Sequence, residues 1–114
     1  MAKINTDAGT TLADLKSVME AFVAERTWEK FHVPKHLSMS IAIEAAELME
    51  LFQWSDVEPP EVIQENAELM QRVREELSDV FAYTLAMANR LDIDLASAFT
   101  DKMAMNREKY PADG

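Results

Sequence analysis

Two pairs of acidic residues are the part of this sequence best suited to chemistry: Glu44 with Glu47, and Glu76 with Asp79. Each pair is spaced i, i+3, so on a helix both carboxylates project from the same face. Apolar residues surround both pairs, and a carboxylate in an apolar setting is costly unless a positive group meets it. The sequence nearby offers few basic side chains, so a bound cation is the natural candidate.

The type of cation follows from the ligand atoms. If the helices carrying the two pairs pack side by side, with axes about 8–10 Å apart, four carboxylates converge. All the ligands are oxygen, and neither pair has the Glu-x-x-His form of di-iron bundles. Hard oxygen ligands favour Mg²⁺ or Mn²⁺ over Zn²⁺. On the residues alone, a metal site and a solvated acidic edge both stay open, and Glu50 could join the site or face water.

Composition excludes several classes of protein. A chain of 114 residues fits one domain, and the lack of cysteine excludes disulfides and thiolate metal sites. A formal net charge of -10 argues against nucleic-acid polymers and anionic membranes as partners. A small phosphate ligand remains compatible, because a divalent cation can bridge it to carboxylates. No apolar run is long enough for a membrane span and no signal peptide is apparent, so a cytoplasmic location is expected.

Glycine occurs only at Gly9 and Gly114, which favours long helices. Thr11 and Asp14 form a candidate capping box, Ser38 is a candidate cap for the second helix, and Asp94 is one for the last. The predicted helices are residues 11–28, 38–53, 60–90 with a break near 64–68, and a last helix after residue 94 that ends before residue 111. We predict an all-α bundle of four to five helices at residues 11–111, as a single domain, after a flexible N-terminal arm at 1–10.

The second half of the third predicted helix, from Val73 to Leu91, is apolar on most of its faces. We therefore place it at the centre of the bundle. One small bundle cannot cover so many apolar faces, so the sequence also predicts a homo-oligomer that completes the core.

The acidic pairs, with 28 residues between Glu47 and Glu76, resemble the metal-binding motif of the MazG-like nucleoside triphosphate pyrophosphohydrolases. Within that family the sequence looks most like the small single-domain branch that includes the dCTP pyrophosphatases. Further similar stretches are Trp-Glu-Lys-Phe-His at 28–32, Leu-Phe-Gln-Trp at 51–54, Glu-Leu-Ser-Asp-Val at 76–80 and Lys-Met-Ala-Met-Asn-Arg-Glu-Lys-Tyr-Pro at 102–111. Together they extend the resemblance over nearly the whole chain.

The resemblance implies an all-α fold and hydrolysis of a nucleoside triphosphate to its monophosphate and pyrophosphate. It also implies dependence on Mg²⁺, with Mn²⁺ as a substitute, and a dimer-based assembly, commonly a homotetramer. On that analogy the Mg²⁺ ligands are Glu44, Glu47, Glu76 and Asp79. The metal would acidify the attacking water, and Glu47 is the candidate catalytic base that takes up its proton.

The resemblance also implies the substrate-binding positions. The residues that correspond to the family's base and sugar pocket are Trp28, His32, Trp54 and Tyr83. The residues that correspond to positions reaching the phosphates or the base are Lys102, Asn106 and Tyr110. A neighbouring subunit could supply these last three. The sequence alone leaves simpler alternatives: core packing for both tryptophans, an ordinary surface position for the histidine, a solvated stripe for Lys102 and Asn106, and a helix stop for Tyr110.

The sequence departs from the family's usual Pro-Arg-Asn stretch, because Lys35 and His36 follow Pro34. This leaves the nucleotide preference open. The leading hypothesis is a housecleaning enzyme acting on dCTP-type nucleotides. The alternatives are a related pyrophosphohydrolase acting on dATP, dUTP or phosphoribosyl-ATP, and a non-catalytic helical interaction module. Retention of all four carboxylates speaks against the last.

Overall fold

Five α-helices form the framework of the computed structural model, which describes residues 6–113. They are α1 (Leu12–Glu25), α2 (Pro34–Glu50), α3 (Pro60–Gln64), α4 (Ala67–Leu91) and α5 (Leu95–Lys109). A single 3₁₀ turn, Glu29–Phe31, precedes α2, and residues 6–113 contain no β-strand. The predicted all-α helical bundle is confirmed. Half of the predicted N-terminal arm, residues 1–5, lies outside the described residues.

Side-chain caps fix where three of the helices begin. The Thr11 hydroxyl accepts a hydrogen bond from the backbone N–H of Asp14, whose carboxylate accepts one from the N–H of Thr11, both at 3.0 Å. The Asp94 carboxylate caps α5 at 2.9 Å, as predicted. Asn66 caps α4 at 3.0 Å and so produces the predicted break between α3 and α4. Together these caps supply acceptors for N–H groups that the first helical turn leaves unpaired.

The predicted start of α2 at Ser38 is wrong, because the helix begins one turn earlier at Pro34. Val33 precedes it in an extended conformation, with φ -101° and ψ 153°, as expected for a residue before proline. A proline at the first helical position loses no helical hydrogen bond, so Pro34 starts the helix instead of interrupting it. Ser38 lies inside α2, and its hydroxyl donates to the Lys35 carbonyl at 2.8 Å.

Two helices end earlier than predicted. Helix α1 stops at Glu25 instead of Trp28, and Thr27 then takes a left-handed conformation with φ 56°. Helix α2 stops at Glu50 instead of Gln53, and turns follow it. A left-handed residue reverses the direction of the chain after a helix, which a pattern of apolar residues does not reveal.

Helix α4 lies at the centre, as predicted, and packs against α2, α1 and α3. Two hydrogen bonds fasten α1 to the end of α4: the Asn89 amide donates to the Lys16 carbonyl at 2.9 Å, and the Lys16 ammonium donates to the Ile93 carbonyl at 2.8 Å. Helix α5, by contrast, has no extensive packing contact with any of the other four helices. None of the helices in residues 6–113 has the length and apolar character needed to cross a membrane.

The apolar core of one chain is small. Within the described residues, the buried apolar side chains are Val23, Leu37, Leu85, Ala86 and Ala88. On α5, Phe99 remains 68% exposed and Met105 remains 60% exposed. Burial of apolar surface is the main source of folding free energy, so a single copy leaves much of that stabilisation unused.

Candidate metal centre and adjoining cavity

Helices α2 and α4 bring the two acidic pairs together. The Glu44 carboxyl group lies within hydrogen-bonding reach of Asp79, and that of Glu47 lies within reach of Glu76. The order of the residues along α4 is the reverse of their order along α2, so the two helices run antiparallel at this point. Glu44, Glu47 and Glu76 each place one carboxylate oxygen within 4.8 Å of the others. We call these three residues and Asp79 the acidic cluster.

No basic side chain of residues 6–113 forms a salt bridge with the acidic cluster. The only salt bridge among residues 6–113 joins Arg26 to Glu25, away from the cluster. Partial burial raises the pKa of Glu44 above its ordinary value, and the negative charges of Glu47, Asp79 and Glu76 raise it further.

The pKa of Glu76 is raised by the same causes. Partial burial and the charges of Glu47 and Asp79 raise the pKa of Glu76, and the positive charge of Arg72 opposes the rise. The arrangement therefore penalises the fully ionised cluster, and a cation between the carboxylates would remove the penalty.

The geometry fits a hard divalent cation. Three oxygen ligands lie within 4.8 Å of one another on two packed helices, and an ion of this type takes oxygen ligands and completes its shell with water or phosphate. Glu44, Glu47 and Glu76 are half-buried, and Asp79 is exposed, so the cluster remains open to a ligand from solvent.

The raised pKa values give a test in the absence of metal. Because the pKa of Glu44 and of Glu76 is raised from 4.5 in the folded chain, folding favours their protonated forms. Their contribution to stability is complete below pH 4.5 and is lost as the pH rises through the raised values. We therefore expect Tm in EDTA to fall between pH 4.5 and pH 7. Thermal melts should show a smaller fall in the double variant Glu44→Gln, Glu76→Gln.

The control for this test is the double variant Glu61→Gln, Glu65→Gln, which removes two exposed carboxylates outside the cluster. The fall of its Tm with pH should be closer to that of the unchanged chain than the fall in the Glu44→Gln, Glu76→Gln variant is. If Tm fell equally with pH in the two double variants, the cluster would not penalise ionisation of its carboxyl groups.

An apolar cavity of about 440 Å³ adjoins the cluster, because Asp79 is part of its wall. Trp28 and Tyr83 also line it, so two predicted binding residues lie beside a predicted metal ligand. The Trp28 ring meets the Phe22 ring edge-on, with centroids 5.8 Å apart, and the Arg26 guanidinium lies 3.7 Å from the Phe22 centroid. The remaining lining comes from Leu15, Val18, Met19, Ser78, Phe81, Ala82 and Leu85.

His32 is buried, with only 7% of its surface exposed, so the alternative of an ordinary surface histidine is wrong. Its ring centroid lies 6.4 Å from that of Tyr83. Its carbonyl accepts a hydrogen bond from Nε of Arg90 at 2.9 Å. Burial lowers the pKa of His32 and the charge of Arg90 lowers it further, against the opposing effect of Glu29. The imidazole is therefore neutral at pH 7 and offers one donor and one acceptor.

The other predicted binding residues do not reach the cavity within one chain. Trp54 lies in the turn after α2 and is 89% exposed. Lys102 and Asn106 lie on α5, and Tyr110 lies at its end. Asn106 donates to the Met103 sulfur at 3.7 Å. Since α5 has no extensive packing contact with the other helices, a single copy does not bring these side chains to the acidic cluster.

Val18 and Phe22 of α1 line the cavity, although the sequence did not single them out as binding residues. Their helical spacing correctly gave one shared face, but spacing does not tell a packed face from a cavity wall. Arg26, two residues before Trp28 and one turn after Phe22, was the available signal, since guanidinium groups stack on aromatic rings.

The MazG-like family model matches residues 39–114, and the chain belongs to this family of all-α proteins. It is 47% identical over 105 residues to dCTP pyrophosphatase 1 of Rattus norvegicus, covering 89% of this chain and 59% of that protein. It is 41% identical over 102 residues to dCTP pyrophosphatase 1 of Homo sapiens, covering 90% of this chain and 60% of that protein. The chain thus spans about 60% of the length of these curated relatives.

The fold also matches a solved structure. The crystal structure of a pyrophosphatase from Archaeoglobus fulgidus aligns with a TM-score of 0.75 and 32% sequence identity. The alignment covers 98% of this chain and 100% of the archaeal chain. The fold described above is therefore shared with this archaeal pyrophosphatase.

Proposed function

We propose that this chain hydrolyses nucleoside triphosphates of the dCTP type to the monophosphate and pyrophosphate. The observation that carries the proposal is the meeting of two acidic pairs beside an apolar cavity lined by aromatic side chains. The names of the relatives, dCTP pyrophosphatase 1, and of the solved neighbour, a pyrophosphatase, support the reaction class. We assign Glu44, Glu47, Glu76 and Asp79 to Mg²⁺, with Mn²⁺ as a substitute.

A bound Mg²⁺ supplies positive charge to the triphosphate and lowers the pKa of a water molecule. The residues of the chain then have separate tasks. Glu47 lies within hydrogen-bonding reach of Glu76 in the cluster and accepts the proton of the attacking water. The water oxygen forms a bond to the α-phosphorus, the bond from that phosphorus to the bridging oxygen breaks, and pyrophosphate leaves.

The cavity beside Asp79 suits the base and sugar. Trp28 and Tyr83 offer aromatic surface on which a base can stack. His32 lies next to Tyr83 and, as a neutral ring, can donate one hydrogen bond and accept another. We assign Trp54 to the same pocket on the strength of the family resemblance.

We propose further that the active form is a homo-oligomer, a dimer or a tetramer. Phe99 at 68% exposure and Tyr110 at 69% exposure leave apolar surface on α5 uncovered in a single copy. Packing of α5 against a second copy would bury these side chains and bring Lys102 and Asn106 to a neighbour's substrate. This activity is consistent with a cytoplasmic role in removing unwanted nucleotides from the nucleotide pool.

The activity is tested with a panel of nucleotides and Mg²⁺. The panel contains dCTP, modified cytosine nucleotides, dATP, dUTP and phosphoribosyl-ATP, and both products are identified by ion-exchange chromatography. We expect pyrophosphate and monophosphate in equal amounts, with the highest kcat/KM for a cytosine nucleotide. Release of orthophosphate would contradict the reaction. No turnover of any nucleotide would favour the non-catalytic interaction module.

A further inference from the structure

A second cavity, of about 680 Å³, also adjoins the acidic cluster. Glu47 and Glu76 are part of its wall, whereas Asp79 is part of the wall of the apolar cavity. No described residue lines both cavities, so the acidic cluster lies between them. We call the second one the acidic cavity, because four of its lining residues are glutamates. The rest of its wall consists of Ile43, Ala46, Glu50, Leu51, Arg72 and Glu75.

Arg72 is the only basic residue on the wall of the acidic cavity within the described part of the chain. It is exposed, and it forms no salt bridge with a carboxylate of residues 6–113, although Glu75 and Glu76 line the same wall. Its charge nevertheless acts on Glu76, so the two groups are close. An arginine that lies near carboxylates without pairing with them keeps its N–H donors available for another anion.

Arg72 continues a row of side chains along one face of α4. Successive members of the row, Arg72, Glu76, Asp79 and Tyr83, are three or four residues apart, so they share that face. Tyr83 lines the apolar cavity, Glu76 and Asp79 belong to the acidic cluster, and Arg72 lines the acidic cavity. From Asp79 to Arg72 the row extends about 10 Å along the helix axis. A nucleoside triphosphate has its parts in the same order: base, reacting phosphate and terminal phosphates.

The charges on the wall of the acidic cavity determine when an anion can enter. Four carboxylates share this wall with one guanidinium, so the cavity by itself repels phosphate. A divalent cation bound by Glu47 and Glu76 would offset two of the negative charges, and Arg72 offsets a third. Binding of a phosphate group here therefore requires both the cation and Arg72.

We propose that Arg72 binds the terminal phosphates of the substrate and holds them as pyrophosphate leaves. This inference rests on the proposed function. The planar guanidinium offers paired N–H donors that fit two phosphate oxygens. Its positive charge also stabilises the negative charge that develops on pyrophosphate as the bond to the α-phosphorus breaks. Arg72 lies outside the apolar cavity, so its effect should be the same for every base.

The test measures binding of pyrophosphate in the presence of Mg²⁺ by titration calorimetry. We expect Kd to rise about tenfold in Arg72→Gln, the scale of a lost hydrogen bond to a charged group. The rise should be smaller in Arg72→Lys, which keeps the charge but loses the paired donors. Arg74→Gln is the matched control, because it makes the same change at an exposed residue of α4 that does not line the acidic cavity. It should bind pyrophosphate like the unchanged chain.

Two further measurements separate a phosphate contact from an effect on the metal. The Kd for Mg²⁺ alone should not rise in Arg72→Gln, because removal of a positive charge does not weaken the binding of a cation. The Kd for dCMP should also stay unchanged, since the monophosphate lacks the terminal phosphates. In steady-state assays, kcat/KM should fall by the same factor, about tenfold, for each nucleotide that the chain hydrolyses.

The outcomes distinguish this inference from the proposed function. If the unchanged chain hydrolyses triphosphates but Arg72→Gln binds pyrophosphate as tightly as Arg74→Gln does, the inference is overturned and the proposed function stands. If Arg72→Gln does not fold, Arg72→Lys decides, and a Kd for pyrophosphate equal to that of the unchanged chain overturns the inference. An unchanged chain that neither hydrolyses a nucleotide nor binds pyrophosphate would overturn both.

Discussion

Replacing Glu47 with glutamine lowers kcat by about 10²- to 10⁴-fold, the usual contribution of a positioned general base. The substitution keeps the shape of the side chain and removes the carboxylate that we propose as the proton acceptor. The fold should persist, because Glu47 lies among like charges and the loss of one of them relieves repulsion. The measurement is pyrophosphate release at saturating Mg²⁺ and nucleotide, with a thermal melt of the same sample.

The control for this substitution is Glu61→Gln, which makes the same chemical change at an exposed position on α3. It should retain full turnover. If Glu47→Gln also retained it, Glu47 would have no part in proton transfer, and Glu44, Glu76 or Asp79 would have to be tested in its place. A loss of turnover together with a lower Tm would point to a structural effect instead.

Replacing Phe99 with aspartate should dissociate the proposed homo-oligomer. Phe99 is 68% exposed in one copy, so a charge at this position costs little within the chain but much in an apolar contact between copies. Burial of a phenylalanine side chain contributes about 1.5–3 kcal/mol, and each copy in the assembly would lose that contribution. Sedimentation velocity at micromolar concentration should show smaller species, and Tm should fall.

The matched control is Ala112→Asp, which adds the same charge to an exposed position beyond α5. It should sediment like the unchanged chain. Phe99→Asp with an unaltered sedimentation coefficient would show that this part of α5 is not an interface. A loss of turnover that accompanies dissociation would indicate that Lys102, Asn106 or Tyr110 acts on the substrate of a neighbouring copy.

The placement of the acidic cluster explains why such a small chain can hold a defined site. All four carboxylates lie on the two helices that pack most closely, and none lies on a loop. Helices restrict where a side chain can point, so the spacing of the ligands is set before any ion binds. The cluster opposes folding through repulsion, and a divalent cation bound there would convert that repulsion into binding free energy.

Much of the local structure was predictable from the sequence. The capping residues Thr11 and Asp94, the break before α4 and the central position of α4 all followed from residue types and apolar spacing. These features depend on interactions within a few residues of one another. The wrong start of α2 has the same local origin, because a proline can either interrupt a helix or begin one, and its identity alone does not decide between them.

The sequence by itself determined that each acidic pair shares one helix face, since the period of the helix fixes the direction of residues three apart. Only the tertiary structure decided that Glu44 meets Asp79 and Glu47 meets Glu76, that His32 is buried, and that the cavity opens beside the cluster. These outcomes depend on the register between helices distant in sequence. That register is set by how whole faces pack, which the order of residues along one helix does not specify.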